Sequence, residues 1–273
     1  MAVLVCMGRA AAHGRSPVPR FSDPVALLLL PADARAYVEA ERAGAPPRGV
    51  RGRVMRIVIS GQVPIMVART VVVDDAIRAG APGAQIVILG AGLDGRAWRM
   101  KELSDSVVFE VDHPDTQKEK RERIATLPLA AREVRFVPFD FTRDALDRAL
   151  ADAGHDPSRP TTWVWEGVIM YLEPAAVAAT LAVVQRRSTS KSLVLALYNR
   201  PKWSTRFTGL LAGLLREPFR SQYRPEEMAE LLARHGFHVD GDTDAAAWAR
   251  ACGIDPGDAW LRMSADRFVV ASR

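Results

Sequence analysis

Ile86-Val87-Ile88-Leu89-Gly90-Ala91-Gly92-Leu93-Asp94-Gly95-Arg96 is the stretch whose reading decides the fold. Ile86 to Leu89 shows no polar alternation, so it suits a strand covered on both faces, as in a parallel sheet between helices. Gly90 and Gly92 allow a tight turn and let a ligand approach bare backbone, and a helix is predicted from Asp94 towards Leu103. A second apolar run, Val107 to Val111, then carries Asp112 to the carboxyl end of its strand. Ligands of open α/β sheets lie at that edge, and an acid there can accept hydrogen bonds from two ribose hydroxyls.

Outward from this stretch the chain alternates strand and helix, the pattern of a doubly wound α/β sheet. Strands are predicted at 86–89, 107–111, 134–138, 162–168 and 192–198, with 237–239 and 267–271 completing seven. Helices are predicted at Thr116 to Leu127, Arg143 to Ala153, Pro174 to Arg187 and Arg224 to His235, the last with Pro225 in its first turn and Gly236 as its stop. The sheet is expected to be mostly parallel. Residues 1–80 read as a helical extension ahead of a core spanning 81–273. In the extension, Ser22-Asp23-Pro24 marks a helix start and Val25 to Leu30 gives it an apolar face. Gly44 to Gly52 reads as a turn or loop, and Val54 to Ala79 as one or two helices interrupted near Pro64. After the fifth strand, 199–220 departs from the alternation; its apolar run Phe207 to Leu215 suits a lid or a surface helix packed on the core.

The chain has 273 residues, enough for one large α/β domain with additions. Apolar residues make up 48% and charged residues 25%, the proportions of a globular rather than a disordered protein. Neither Val25 to Leu30 nor Met1 to Met7 reads as a membrane span or a secretory signal. Two cysteines, Cys6 and Cys252, lack metal-ligand spacing, so no metal is expected and a reducing cytoplasm fits. The net charge of +5 would suit an anionic partner, and Arg48, Arg51, Arg53 and Arg56 form the densest basic cluster. That cluster has no interleaved aromatics, so attraction of an anionic small-molecule acceptor, or a plain solvated helix face, is favoured over nucleic-acid binding.

Gly90, Gly92 and Gly95 fit the dinucleotide fingerprint, and Asp112 follows Gly90 by 22 residues, so an NAD-dependent oxidoreductase must be considered. The acids of the next strands separate the readings. The third strand ends in Pro138-Phe139-Asp140-Phe141 and the fourth leads to Glu166-Gly167. Hydride transfer has no evident use for Asp140 and Glu166 there, whereas a positively charged nucleoside has.

Several motifs together resemble the leucine carboxyl methyltransferase-like family of class I S-adenosylmethionine-dependent methyltransferases. They are Phe21-Ser22-Asp23-Pro24-Val25-Ala26, Ala68-Arg69-Thr70, the Gly90 to Arg96 turn, Glu110-Val111-Asp112-His113-Pro114 and Glu166-Gly167-Val168-Ile169-Met170-Tyr171-Leu172. The resemblance implies a Rossmann-like core and S-adenosyl-L-methionine as cofactor. It implies that Arg69 and the turn Gly90, Ala91 and Gly92 hold the methionine carboxylate, and that Asp112 holds the ribose with His113 beside it. Asp140 and Phe141 would meet the adenine, and Glu166 the amino group; these pairings match the charges. Gly95 departs from the family, which more often has threonine there, so a helix-start hydroxyl is lost.

The implied activity is O-methylation of a carboxylate or hydroxyl of a small molecule, such as a secondary metabolite. The alanine- and arginine-rich composition fits a high-GC bacterial source. A carboxylate acceptor needs no base, whereas a hydroxyl usually does, and the sequence singles out no catalytic residue. Tyr198 and Asn199, at the end of the fifth strand, are the acceptor-side candidates. Nucleic-acid methylation and non-catalytic cofactor binding are the remaining alternatives, and oligomeric state is not encoded legibly.

Overall fold

The computed structural model describes residues 2–46, 49–80, 83–141, 145–202 and 219–273. Seven strands form one sheet: β1 Gln85–Leu89, β2 Val107–Asp112, β3 Glu133–Pro138, β4 Thr161–Trp165, β5 Leu193–Asn199, β6 His238–Asp244 and β7 Asp266–Ser272. Their order is β3-β2-β1-β4-β5-β7-β6. β1 to β5 are parallel, whereas β7 runs antiparallel to both β5 and β6. The chain order reverses between β1 and β4, which opens a crevice at the carboxyl ends of the strands.

The apolar runs account for the central position of β1, β2 and β4. Every residue of β1 and β4 is buried, and only Asp112 of β2 reaches solvent. One face of the sheet packs Val87, Phe109, Trp163 and Tyr198 against helices, the other Ile88, Val108, Val164 and Leu195. Glu110 is buried inside β2 and is matched by Lys120, whose Nζ donates to both carboxylate oxygens at 2.7 and 2.8 Å.

Ahead of the sheet stand α1 Ala2–Ala12, α2 Ala26–Leu29, α3 Ala32–Arg42 and α4 Gly49–Ala79. Asp23 Oδ1 accepts from Ala26 N at 3.1 Å, so the Ser22-Asp23-Pro24 signal does start a helix. Cys6, Leu29, Val38 and Ile59 share a core with Leu93 and Ile124, which ties this extension to the sheet. α4 corrects two expectations. It begins within the predicted 44–52 loop, and it passes through Pro64 without interruption. A proline removes one helical hydrogen bond, but Ile65, Met66, Val67, Ala68, Val71, Val73 and Ile77 beyond it are all buried, and that packing outweighs the loss. The segment Gly52–Ala79 is long and apolar enough to cross a bilayer by length and composition, and 56% of its most apolar window is buried inside the protein, as in a core helix.

Between strands lie α5 Arg96–Arg99, α6 Pro114–Ile124, α7 Leu146–Asp152 and α8 Pro174–Arg186. α5 is shorter than predicted, a 3-10 turn at Lys101–Leu103 following it. β4 also ends three residues early, because Gly167 takes φ +74° and turns the chain out of the sheet at Glu166. α9 Pro225–Arg234 was legible from its proline and glycine ends; α10 Ala245–Ala251 and α11 Ala259–Met263, between β6 and β7, were not. Residues 203–218, most of the predicted lid, and 142–144, at the predicted start of α7, lie outside the described residues.

Candidate functional site

A cavity of about 620 Å³ opens over the crevice, within the range of small-molecule sites. Its floor is the glycine turn. Gly90 has φ +71°, and a Cβ there would come within 2.2 Å of Val168 Cγ2, so no other residue fits without displacing the β4 exit. Gly90 N and Ala91 N both donate to Val111 O, at 2.7 and 3.1 Å, which ties the tip of β1 to that of β2. Gly92 N then donates to Asp112 Oδ2 at 2.5 Å, and His113 N donates to Asp112 Oδ1 at 2.6 Å. Each carboxylate oxygen of Asp112 thus spends one acceptor position on backbone and keeps another for the cavity.

His113 lines the cavity, but its ring also serves locally, since Nδ1 accepts from Asp115 N at 3.3 Å and caps α6. Asp140 and Phe141 line the cavity at the tip of β3, with Phe141 edge-on to Phe139 at 4.9 Å between centroids.

Glu166 sits between two arginines. Arg69 Nε donates to Oε1 at 2.6 Å, and Arg96 Nη1 lies 2.8 Å from Oε2. Burial opposes ionisation of Glu166, but Arg96 and Arg69 together override it and hold its carboxyl well below the usual carboxylate range. Arg69 therefore pairs across the site and not with Asp74 or Asp75 on its own helix. Arg96, 1% exposed, also reaches Asp94 at 2.5 Å and Asp74 at 2.8 Å, and Asp74 accepts two bonds from Arg99 at 2.6 and 3.0 Å. Asp94 and Arg96 thus hold the turn, as their place beside the glycines suggests.

Gly95 has a steric reason. A Cβ there would lie 2.3 Å from Val25 Cγ2, so the valine of the Phe21 to Ala26 motif occupies the space a threonine would need. The turn is held instead by Asp94, whose Oδ1 accepts from Arg96 N at 2.8 Å.

All nine residues predicted to hold cofactor, from Arg69 to Glu166, line this one cavity, as does Asn199. Tyr198 does not. Adjacent strand residues face opposite sides, and the phase of β5 sends Tyr198 into the core, where it is fully buried and its hydroxyl donates to Asp242 Oδ2. Sequence reasoning missed three contributions. Ala2, Val5 and Arg9 present one face of α1; Gln62, Ile65 and Met66 share a face of α4 with the predicted Arg69; Trp260, Met263, Ser264 and Asp266 arrive from α11 and the start of β7. The first two sets repeat every three or four residues, a signal available in principle. The third depends on an antiparallel pairing with β5 that local pattern does not reveal.

Among the described lining residues are two arginines, Arg9 and Arg69, and five carboxylates, Asp94, Asp112, Asp140, Glu166 and Asp266. Such a cavity suits a ligand of net positive charge that also offers a diol and a flat ring. The profile of the leucine carboxyl methyltransferase family matches residues 2–185. A protein of Mycobacteroides abscessus, named as a candidate S-adenosyl-L-methionine-dependent methyltransferase, is 31% identical over 276 residues, covering 96% of this chain and 90% of that protein. The chain belongs to the leucine carboxyl methyltransferase family. A similarly named protein of Mycobacterium sp. (strain JLS) is 37% identical over 177 residues, covering 64% of the chain; the matched part spans only 57% of that relative's length. The crystal structure of a candidate methyltransferase from Thermobifida fusca superposes over 97% of this chain and 94% of its own, with TM-score 0.57 at 15% identity, which speaks to fold alone. This is the α/β architecture of class I methyltransferases, and S-adenosylmethionine is the cofactor of the family. The donor set fits that molecule in its chemistry: carboxylates suit ribose hydroxyls and a cationic end, and the glycine turn leaves bare backbone open to the cavity.

Proposed function

We propose that this family member transfers the methyl group of S-adenosylmethionine to an oxygen of a small molecule. The observation that carries this reading is the order of groups along the strand tips. From β3 to β4 the cavity meets Asp140 and Phe141, Asp112, the Gly90–Gly92 turn, then Glu166 with Arg69, the sequence in which adenine, ribose and amino acid follow one another in the donor. Bound there, the donor supplies a methyl on a positively charged sulfur. The remaining work falls to the chain. Asp112 fixes the ribose through its two free acceptor positions, Glu166 accepts from the ammonium, and Arg69 offers its guanidinium to the carboxylate. The buried arginine-carboxylate array keeps Glu166 ionised whether or not ligand is present. Rigid placement of donor and acceptor, and exclusion of water by the α1 and α4 faces, account for acceleration without an activated enzyme nucleophile.

The NAD reading loses ground because Asp140 and Glu166 enter the same cavity as Asp112 and add negative charge where a dinucleotide would bring its own. Both cysteines are free thiols, which suits a reducing compartment. Isothermal titration with S-adenosylhomocysteine and with NAD tests the assignment: the first is expected to bind and the second not. Retention of NAD with no affinity for S-adenosylhomocysteine would overturn it.

A further inference from the structure

Beyond Glu166 the strand order continues to β5 and β7, and the cavity continues with it. Because β7 is antiparallel, its first residue, not its last, lies at the ligand edge, so Asp266 pairs in register with Asn199 at the end of β5. Both line the cavity. From β3 to β7 there are five inter-strand steps, about 24 Å at ~4.8 Å each. The cofactor groups assigned above occupy β3 to β4, so the β5 and β7 tips face what lies past the methionine end.

Asn199 is 5% exposed, and among the described residues no donor reaches its buried Oδ1. A buried acceptor without a partner is costly, and a ligand donor would satisfy it. Asp266 is a carboxylate in the same wall, its backbone N–H donating to Ser264 Oγ at 3.1 Å. Burial pushes its carboxyl above the ordinary aspartate range, opposed by Arg69 and by a bond from Ser264, and Glu166 adds to the rise. The same cavity is also lined by Met170, Tyr171, Phe219, Trp260 and Met263, which make its wall apolar and aromatic. The unpartnered Asn199 Oδ1 and the Asp266 carboxylate can each accept from a hydroxyl, and the Asp266 charge disfavours a second carboxylate beside it even with Arg69 and Ser264 near.

We propose that Asn199 and Asp266 form the acceptor subsite, that it takes a neutral aromatic hydroxyl in preference to a carboxylate, and that Asp266 receives the hydroxyl proton. The inference rests on the methyltransferase reading above. In the step, the acceptor oxygen forms a bond to the methyl carbon while the carbon–sulfur bond breaks, its electron pair leaving with sulfur as a neutral thioether. The O–H proton passes to the Asp266 carboxylate and from there to solvent, so charge and atoms balance without another reactant. A carboxylate suits this role because a hydroxyl, unlike a carboxylate acceptor, usually needs a base.

The test is calorimetric binding of 2-naphthol and 2-naphthoate, which share a ring system and differ in charge at neutral pH, to protein saturated with S-adenosylhomocysteine. Wild type is expected to bind 2-naphthol at least tenfold more tightly. Asp266→Asn should shrink the ratio to threefold or less, chiefly by admitting 2-naphthoate, with S-adenosylhomocysteine affinity within twofold of wild type. Asn199→Ala should weaken 2-naphthol alone. If S-adenosylhomocysteine binds but wild type takes 2-naphthoate as well as 2-naphthol, or takes neither, the subsite proposal is overturned and the cofactor reading survives. An undiminished ratio in a folded Asp266→Asn protein removes Asp266 from the subsite. Failure of S-adenosylhomocysteine to bind wild type overturns the methyltransferase reading and this proposal with it.

Discussion

Asp112→Ala tests the ribose contact, and the structure fixes the size of its effect. Each Asp112 oxygen accepts one backbone N–H, from Gly92 and from His113, and retains one acceptor position for a ribose hydroxyl. A hydrogen bond to a charged group is worth about 1.5–3 kcal/mol net. Two of them give about 3–6 kcal/mol, and water filling the space left by the carboxylate returns part of that. A net loss of about 3 kcal/mol corresponds to roughly 100-fold weaker binding. Calorimetry with S-adenosylhomocysteine should read that change. The same titration with its 2′,3′-dideoxy analogue closes a double-mutant cycle: wild type should lose about as much affinity when the hydroxyls are removed, and the variant should lose almost nothing further. Melting should fall only by a few degrees, because the two freed N–H groups lie where water can reach them. Additive losses around the cycle, or a change in affinity below threefold, would refute the contact.

Arg69→Ala should weaken S-adenosylmethionine by about 10- to 100-fold, and its decarboxylated analogue by much less; equal losses in parallel titrations would place the carboxylate elsewhere. His155 gives a pH signature unrelated to activity. Burial, reinforced by Arg187, lowers its pKa to about 4, so the unfolded chain takes up a proton near pH 6.5 while the folded chain does not. Stability should therefore be full above that pH and decline as pH falls towards 4, by up to about 3 kcal/mol, and urea midpoints of His155→Asn should show a flatter decline. Gly95→Thr should destabilise the protein through the 2.3 Å approach to Val25, and Val25→Ala in the same chain should recover most of the melting temperature. Equal melting of single and double variants would mean the two side chains do not compete.

What was legible in the sequence was what neighbouring residues determine together. Gly90, Gly92 and Asp112 could be placed because an unalternating apolar run fixes a buried strand, and the residue after such a run must stand at its tip. Asp140 and Glu166 followed by the same logic. Tyr198 and Asn199 show its limit: both end β5, and only the phase of burial decides which faces the core and which the cavity. Pro64 misled because its local cost is real, yet the buried residues after it belong to a packing that local pattern does not contain. Asp266 was out of reach altogether, since α9, β6, α10 and α11 all intervene between it and its partner Asn199.

The reversed last strand also divides the labour along the gene. The groups proposed to hold the donor all fall within residues 2–185, the span matched by the family profile, while the proposed acceptor residues Asn199 and Asp266 come after it. A lineage could exchange the final third of the chain and alter which molecule receives the methyl without disturbing the grip on its source. On the proposed subsite, grafting that portion between relatives should change the acceptor preferred.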